Sequence, residues 1–282
     1  MLRLIENFTL FNKIKKFNNK NFSTHPIKKN RQILCEFSHN KITQVAFSYF
    51  INFLAKKYSC KLIAYQDLTD LNFFNEKKLF INNFFNLKNF YIYRSFNVKK
   101  FLFVKKNFKN SNISNQQLHS IKKRIKCGND LLNFKIDNIL IGDLIYDTYL
   151  KKYSVPSINF KDKNLDQLIT NSIKVFYFWR SYLMKNNVKA VVVSDTVYTS
   201  TMISRISSIM GIDTYQCAWN NITKINKKNL YCYGRFIYYK NYFSKFKKNQ
   251  KLKAISLAKK KINNRMKGEI GLDDQVNFSK SS

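Results

Sequence analysis

Residues 188–217 carry the pattern of a complete βαβ unit, which few folds accommodate. The run over residues 190–193 is short, uncharged and rich in β-branched side chains, as in a parallel strand that is buried on both faces. A polar turn follows, and residues 198–210 then place apolar side chains on one face of a helix. Gly211 stands where a glycine commonly ends a helix, and residues 212–216 form the next strand. The pattern predicts parallel strands joined by a helical crossover.

The rest of the chain shows the same alternation of strands and helices. Strands are predicted at residues 33–37, 61–65, 90–93 and 101–104, and helices at 42–55, 75–86, 115–126 and 165–187. Such alternation indicates a mainly parallel sheet with helices on both faces. We therefore predict a Rossmann-like α/β domain over residues 31–250, after a basic N-terminal lead-in over residues 1–30 and before a C-terminal helix and linker over residues 251–282.

Residues 42–55 form a long uncharged stretch, but these fourteen residues are fewer than the ~20 that a membrane-spanning helix needs. Their apolar positions follow the helical period, so we expect one face to pack on the core. The predicted core-facing residues are Ile42, Val45, Ala46, Tyr49, Phe50, Phe53 and Leu54.

The net charge of +35 invites a nucleic-acid interpretation, which we do not favour. Only 8 of the 51 basic residues are Arg, the side chain that recognises phosphate and guanine through a planar fork. Lys is spread over the whole chain and accompanies many Asn, Ile, Phe and Tyr residues, as an AT-rich coding sequence produces on a solvated surface. An acidic partner or an anionic membrane surface remains the alternative.

The cysteine pattern and the absence of familiar motifs exclude several classes of site and of enzyme. The cysteines are odd in number, far apart and without a CxxC pair, which predicts a reducing compartment and a cytoplasmic protein without a disulfide framework or a zinc site. We expect Cys35, Cys60 and Cys217 to be small buried hydrophobes. No P-loop, GxGxxG, HExxH or GxSxG motif is present, and we expect no cofactor.

Polar residues follow the predicted strands, where ligands of open α/β sheets bind. Ser38 and His39 come after the first strand, and Ser194 and Asp195 come after the strand of the βαβ unit. His39 could act as a general base, since its ordinary pKa is about 6.5, or it could be an ordinary loop residue. Asp195 could face a substrate cleft, or it or Thr196 could cap the following helix.

A second candidate region lies around residues 142–153. Asp143, Tyr146 and Asp147 fall within one dozen residues of a very basic chain. Carboxylates and tyrosines together suit hydroxyl-rich ligands, because they offer hydrogen-bond acceptors and stacking area. In the alternative, both carboxylates pair with nearby Lys side chains while the tyrosines anchor the start of a helix. Tyr198, just after the turn that contains Asp195, is a further candidate.

The segments IGDLIYDTYL (141–150) and VVVSDTVY (191–198) resemble a group of bacterial surface-polysaccharide proteins that are glycosyltransferase-like and related to capsule biosynthesis. Residues 211–215 and 264–269 extend the resemblance, which covers roughly residues 30–275. It implies the GT-B architecture, in which an N-terminal Rossmann-like domain takes the acceptor and a C-terminal domain binds a nucleotide-sugar. Because the chain stops soon after the expected domain junction, we expect the donor domain to be absent.

The resemblance implies transfer of a sugar from a nucleotide-sugar to a glycan hydroxyl, with His39 or Asp195 as the general base. The implied glycan contacts are Ser38, Asp143, Tyr146, Asp147, Ser194 and Tyr198. The positive charge would favour docking at an anionic inner membrane surface. A non-catalytic glycan-binding or assembly module is the alternative, and a basic nucleic-acid-binding protein is the third.

Overall fold

The computed structural model describes residues 12–13, 16–18, 20–22, 26–28, 30–38, 41–66, 92–104, 113–218, 221–230 and 239–267. The chain divides into two compact units, Met1–Cys232 and Tyr233–Ser282. In the described part of the chain, no helix combines the length and the apolar character needed to cross a membrane.

The first unit contains a sheet and its flanking helices. Its described strands are β1 (Arg31–Glu36), β2 (Lys61–Gln66), β3 (Val98–Phe103), β4 (Lys135–Ile136), β5 (Ile139–Leu140), β6 (Asn187–Val193), β7 (Asp213–Cys217) and β8 (Ile222–Ile225). Its described helices include α1 (Lys41–Tyr58), α2 (Asn115–Lys122), α3 (Gly128–Leu132), α4 (Gly142–Tyr153), α5 (Lys163–Lys185) and α6 (Met202–Ile209), with a 3₁₀ turn over Thr199–Thr201 before α6. The second unit contains α7 (Tyr239–Ser244) and α8 (Lys248–Met266).

The main sheet has the strand order β3-β2-β1-β6-β7-β8, and every neighbouring pair is parallel except β7 and β8. The chain therefore winds outward from β1 in one direction through β2 and β3, and in the other direction from β6 through β7. This is the Rossmann-type order, and it puts a topological switch point between β1 and β6. The predicted α/β class with a mainly parallel sheet is confirmed.

Both faces of the sheet are covered, and the central strands divide their side chains between two hydrophobic clusters. Leu34 and Val191 join the cluster that includes residues of α4, α5 and α6. Ile33, Cys35 and Val192 point to the opposite face and join the cluster that includes residues of α1. Burial on both faces explains why the central run of β6 is uncharged, since neither of its faces meets water.

The glycine predicted to end α6 does so. The Gly211 N–H donates to the Ser208 carbonyl at 3.3 Å, and the Ile212 N–H donates to the Ser207 carbonyl at 2.9 Å, which is the Schellman pattern. Gly211 adopts a φ of 77°, in the left-handed region that favours glycine. The βαβ unit is therefore specified by its own local sequence.

The predicted buried face of α1 is confirmed only in part, although the helix itself forms. Leu54 is buried, and Ala46 and Phe50 pack against the core as predicted. Val45, Tyr49 and Phe53 are exposed, whereas the polar Gln44 and Asn52 are buried. Both amides donate to backbone carbonyl oxygens, which removes the cost of burying them. Apolar residues lie around most of the helix, so their period alone did not identify the packed face. The side chains that do fill the core are Phe47, Ile51, Leu54 and Ala55.

The strand predicted over residues 90–93 is also wrong where it can be checked, because residues 92–95 are helical. Ile92, Tyr93 and Phe96 are buried at the i, i+1 and i+4 positions of one helical side. A short aromatic run suits a strand and a buried helical turn equally well. The strand predicted next is confirmed as β3, and the helix predicted over residues 75–86 lies outside the described residues.

The cysteines predicted to be buried, Cys35, Cys60 and Cys217, are free thiols in the core. Burial raises the pKa of Cys60 and of Cys217 to about 11, and the opposing charges of Arg31 and Lys189 do not offset it at Cys60. These thiols remain protonated near neutral pH and act as small apolar side chains.

Candidate functional site

The carboxyl ends of β1 and β6 bring two of the predicted polar segments to one edge of the sheet. Ser38 follows β1, and Ser194 and Asp195 follow β6. Because β1 and β6 are parallel neighbours, their carboxyl ends meet at the switch point. In sheets of this order the crevice beyond that point is where ligands bind.

Helix α4 is fixed against this edge by two threonines. The Thr199 N–H donates to the Thr148 hydroxyl at 2.9 Å, and the two hydroxyl oxygens are 3.2 Å apart. Both side chains are buried. The contact satisfies a free N–H group at the start of the 3₁₀ turn and ties α4 to the loop after β6. The segments 142–153 and 194–198 are therefore neighbours in the fold.

The start of α4 depends on a close backbone approach at Gly142. A Cβ atom there would lie 1.6 Å from the Leu131 carbonyl oxygen and 2.8 Å from the Phe134 Cβ. The Gly142 N–H donates to the Phe134 carbonyl at 3.0 Å. Only glycine fits this contact, which fixes the position of every residue that follows in α4.

Asp143, in the first turn of α4, forms an ion pair with Arg205 of α6. The Arg205 Nη1 and Nη2 atoms lie 2.5 and 2.7 Å from the two Asp143 carboxylate oxygens, and Nη1 also donates to the Leu140 carbonyl at 2.9 Å. Arg205 is fully buried. The partner that the structure shows for Asp143 is thus an arginine, whereas the alternative prediction named a nearby Lys. Both carboxylate oxygens are engaged in holding α4 to α6.

Asp147 lies one turn further along α4 and is exposed. Within the described residues its carboxyl forms no hydrogen bond and no ion pair. Partial loss of hydration raises its pKa above the ordinary value, the Asp143 carboxylate raises it further, and Arg205 opposes both. Its oxygens are therefore available to accept hydrogen bonds from a ligand.

Asp195 and Tyr198 are half-buried in the loop after β6. Burial raises the pKa of Asp195, and the Thr196 N–H, which donates to its Oδ1 at 2.7 Å, partly offsets that increase. The pKa of Tyr198 is raised by burial first, then by Asp195 and by Asp147. Tyr198 thus lies within electrostatic reach of both carboxylates, and we call Asp147, Asp195 and Tyr198 the acidic cluster.

Capping does not explain Asp195. Neither the 3₁₀ turn nor α6 receives a side-chain cap from the residue at its N-cap position, and Asp195 accepts instead from the N–H of the next residue. The N–H of Thr199 is satisfied by Thr148 from another helix. The half-buried carboxyl of Asp195 therefore lacks the usual structural role of an acidic residue before a helix.

Glu36, the last residue of β1, closes the switch point and was missed in the sequence analysis. Its Oε2 accepts from the Ser194 N–H at 2.7 Å and from the Ser194 hydroxyl at 2.6 Å. Gln216 of β7 donates its amide to the Ser194 carbonyl at 2.9 Å. The hydroxyl proton of Ser194 is thus directed to Glu36. A charged residue ending a buried strand was the available signal, since such a side chain needs a partner at the sheet edge.

The remaining predicted site residues lie at the same edge or outside the described residues. The Ser38 N–H donates to the Tyr93 hydroxyl at 2.8 Å, and its carbonyl accepts from Gln44 at 2.9 Å, so the backbone after β1 is held in place. Tyr146 is half-buried against the core. His39 lies outside the described residues. Among the described side chains, no group of three or more His, Cys, Asp and Glu residues is placed to hold a metal ion.

No protein-family model matches the sequence, and no curated protein or solved structure matches it. The topology and the polar edge define an α/β protein of the Rossmann-like class. Because one fold of this class supports many functions, the function has to be argued from the chemistry of the edge.

Proposed function

We propose that the carboxyl edge of the sheet binds the glycan acceptor of a glycosyltransferase-like protein of surface polysaccharide synthesis. The observation that carries this proposal is the acidic cluster, in which Asp147 and Asp195 have raised pKa values and lie within electrostatic reach of Tyr198. The hydrogen bond from the Thr199 N–H to the Thr148 hydroxyl joins the helix that carries Asp147 to the loop that carries Asp195 and Tyr198. A neutral, hydroxyl-rich ligand matches this chemistry, because its hydroxyl groups donate to carboxylates and its ring faces stack on tyrosine.

Asp195 is the general base in this proposal. A carboxyl with a raised pKa is a better proton acceptor near neutral pH than an ordinary aspartate, while still ionised often enough to act. It would take the proton of the acceptor hydroxyl as that oxygen attacks the sugar of a nucleotide-sugar donor, while the bond between the sugar and the phosphate breaks and the nucleotide leaves with its electron pair. Asp147 would accept hydrogen bonds from other hydroxyl groups, and Tyr198 would supply stacking area.

The position of Glu36 favours binding of a glycan acceptor, and not of a nucleotide, at this edge of the sheet. Backbone N–H groups at the switch point of such sheets commonly face the phosphates of a nucleotide. Here the Ser194 N–H is already bonded to the Glu36 carboxylate, which also adds a negative charge. A diphosphate at the same place would meet that charge, whereas an uncharged glycan would not.

Calorimetry with neutral oligosaccharides and with nucleotide-sugars, each at low and high salt, tests the proposal. We expect glycan binding that survives high salt and that weakens in Asp147→Asn. Asp166→Asn is the matched control, because Asp166 is an exposed carboxylate paired with Lys122 on α2. Nucleotide-sugar binding without glycan binding would overturn the assignment of this edge to the acceptor. If the chain binds the glycan but no sugar transfer that depends on Asp195 is detected, the alternative of a non-catalytic glycan-binding module is favoured.

A further inference from the structure

Helix α1 presents an apolar face to solvent. Val45, Tyr49 and Phe53 recur every fourth residue along one side of the helix, with exposed fractions of 45%, 51% and 65%. Lys56 follows Phe53 by three residues and lies on the same side of the helix. Large apolar side chains exposed singly are ordinary, but three in one row form a continuous strip.

Residues from the N-terminal segment extend this strip. The Phe17 ring lies 6.1 Å from the Tyr49 ring and is 47% exposed, and the Phe22 ring contacts Tyr49 edge-on at 5.4 Å. Asn18 is buried, and its amide donates to the Ser95 hydroxyl at 2.9 Å, which anchors Phe17 beside α1. We call Phe17, Val45, Tyr49 and Phe53 the aromatic face.

The surroundings of the aromatic face are strongly basic. Lys13, Lys16 and Lys20 are exposed on the segment that carries Phe17, and Lys56 is exposed on α1. Between residues 7 and 66 the sequence contains a single acidic residue, Glu36, whose carboxylate is bonded to Ser194 at the sheet edge. The partner of this face must therefore be both apolar and anionic.

We propose that the aromatic face docks on an anionic lipid bilayer. Tyr49 and Phe53 would enter the boundary between headgroups and acyl chains, and the surrounding lysines would lie against lipid phosphates, as in other peripheral helices. A second copy of the chain fits poorly, because its own lysines would face those of the first. The proposal is independent of glycan binding, since the aromatic face and the acidic cluster share no residue.

Flotation of the full chain with vesicles tests this proposal. We expect binding to phosphatidylcholine vesicles that contain phosphatidylglycerol and much weaker binding to phosphatidylcholine alone. High salt should reduce the binding without abolishing it, because the apolar contribution is not screened. Equal binding to both kinds of vesicle, or none to either, would overturn the proposal. So would tighter binding of the same face to single-stranded RNA.

Paired variants separate this face from general charge and hydrophobicity. The double variant Tyr49→Ser with Phe53→Ser should lower vesicle affinity by at least about tenfold. The control, Phe160→Ser with Met184→Ser, removes two other exposed apolar side chains and should bind as the unchanged chain does. Lys56→Glu should lower affinity by about fivefold or more, and Lys185→Glu by less. Circular dichroism verifies folding, and equal losses in variant and control would contradict the assignment.

Discussion

Asp143 and Asp147 lie one turn apart on α4 and have opposite environments. The first gives both carboxylate oxygens to a fully buried arginine, and the second is exposed with no partner among the described residues. The arginine comes from α6, 62 residues later in the chain. Two identical side chains in one motif thus divide into a structural role and a candidate binding role, and a distant residue decides which is which.

Among the substitutions that test the contrast between Asp143 and Asp147, removal of the Arg205 side chain should lower the free energy of unfolding most. In Arg205→Ala the Asp143 carboxylate loses its partner at a mostly buried position, and we expect a loss of about 3–5 kcal/mol in the free energy of unfolding. Urea denaturation at neutral pH measures it. Arg180→Ala is the control, because its pair with Asp137 is largely exposed and should contribute less than about 1 kcal/mol. Similar losses in both variants would remove the structural role assigned to Asp143.

A methyl group at Gly142 should have the next largest effect, because it disturbs both carboxylates at once. The added Cβ would overlap the Leu131 carbonyl, so α4 has to shift, at a cost of about 1–3 kcal/mol. Gly128→Ala is the control, since a Cβ at Gly128 meets nothing within 4 Å. We expect glycan affinity to fall in Gly142→Ala and to persist in Gly128→Ala. Unchanged stability in Gly142→Ala would show that α4 is not fixed by this contact.

The βαβ unit could be predicted from sequence because each of its signals is local. The uncharged run of β6, the apolar face of α6 and Gly211 all act within a few residues of one another. The buried face of α1 could not be predicted in the same way. Gln44 and Asn52 become suitable for burial only when their backbone acceptors are in place, and those acceptors belong to the tertiary structure.

The candidate site likewise has a part that could be predicted from the sequence and a part that could not. The polar residues after β1 and β6 were found because parallel strands bring their carboxyl ends to one edge. The partners that assign roles to them were not found, since Arg205 and Glu36 lie far in sequence from the residues they hold. The sequence showed two carboxylates close together in residues 142–153 of a basic chain, but only the fold separates the role of Asp143 from that of Asp147.

Replacing Asp195 should change the free energy of unfolding by less than replacing Arg205 does, and in the opposite direction. Its pKa is raised in the folded state by burial, so its ionisation reduces stability as the pH rises through the raised value. Asp195→Asn removes that loss and should increase the free energy of unfolding at pH 7. At a pH well below about 4, the ordinary pKa of an aspartate, the difference in stability between the variant and the unchanged chain should vanish. The Asp195 carboxyl is then protonated in both the folded and the unfolded state. Urea titrations at both pH values measure the change, and a destabilised variant at pH 7 would assign Asp195 a structural role.

Asp147→Asn should have the smallest effect on stability and the clearest effect on binding. Since the carboxyl is exposed and has no partner among the described residues, we expect the free energy of unfolding to change by no more than about 0.5 kcal/mol. Glycan affinity should fall, because an amide accepts fewer hydrogen bonds from hydroxyl groups than a carboxylate does. In the unchanged chain the affinity should also fall as the pH drops through the raised pKa of Asp147, and this pH dependence should be weaker in the variant. A stable variant with undiminished affinity would leave Asp147 as an ordinary solvated carboxylate, and the contrast with Asp143 would then be one of burial alone.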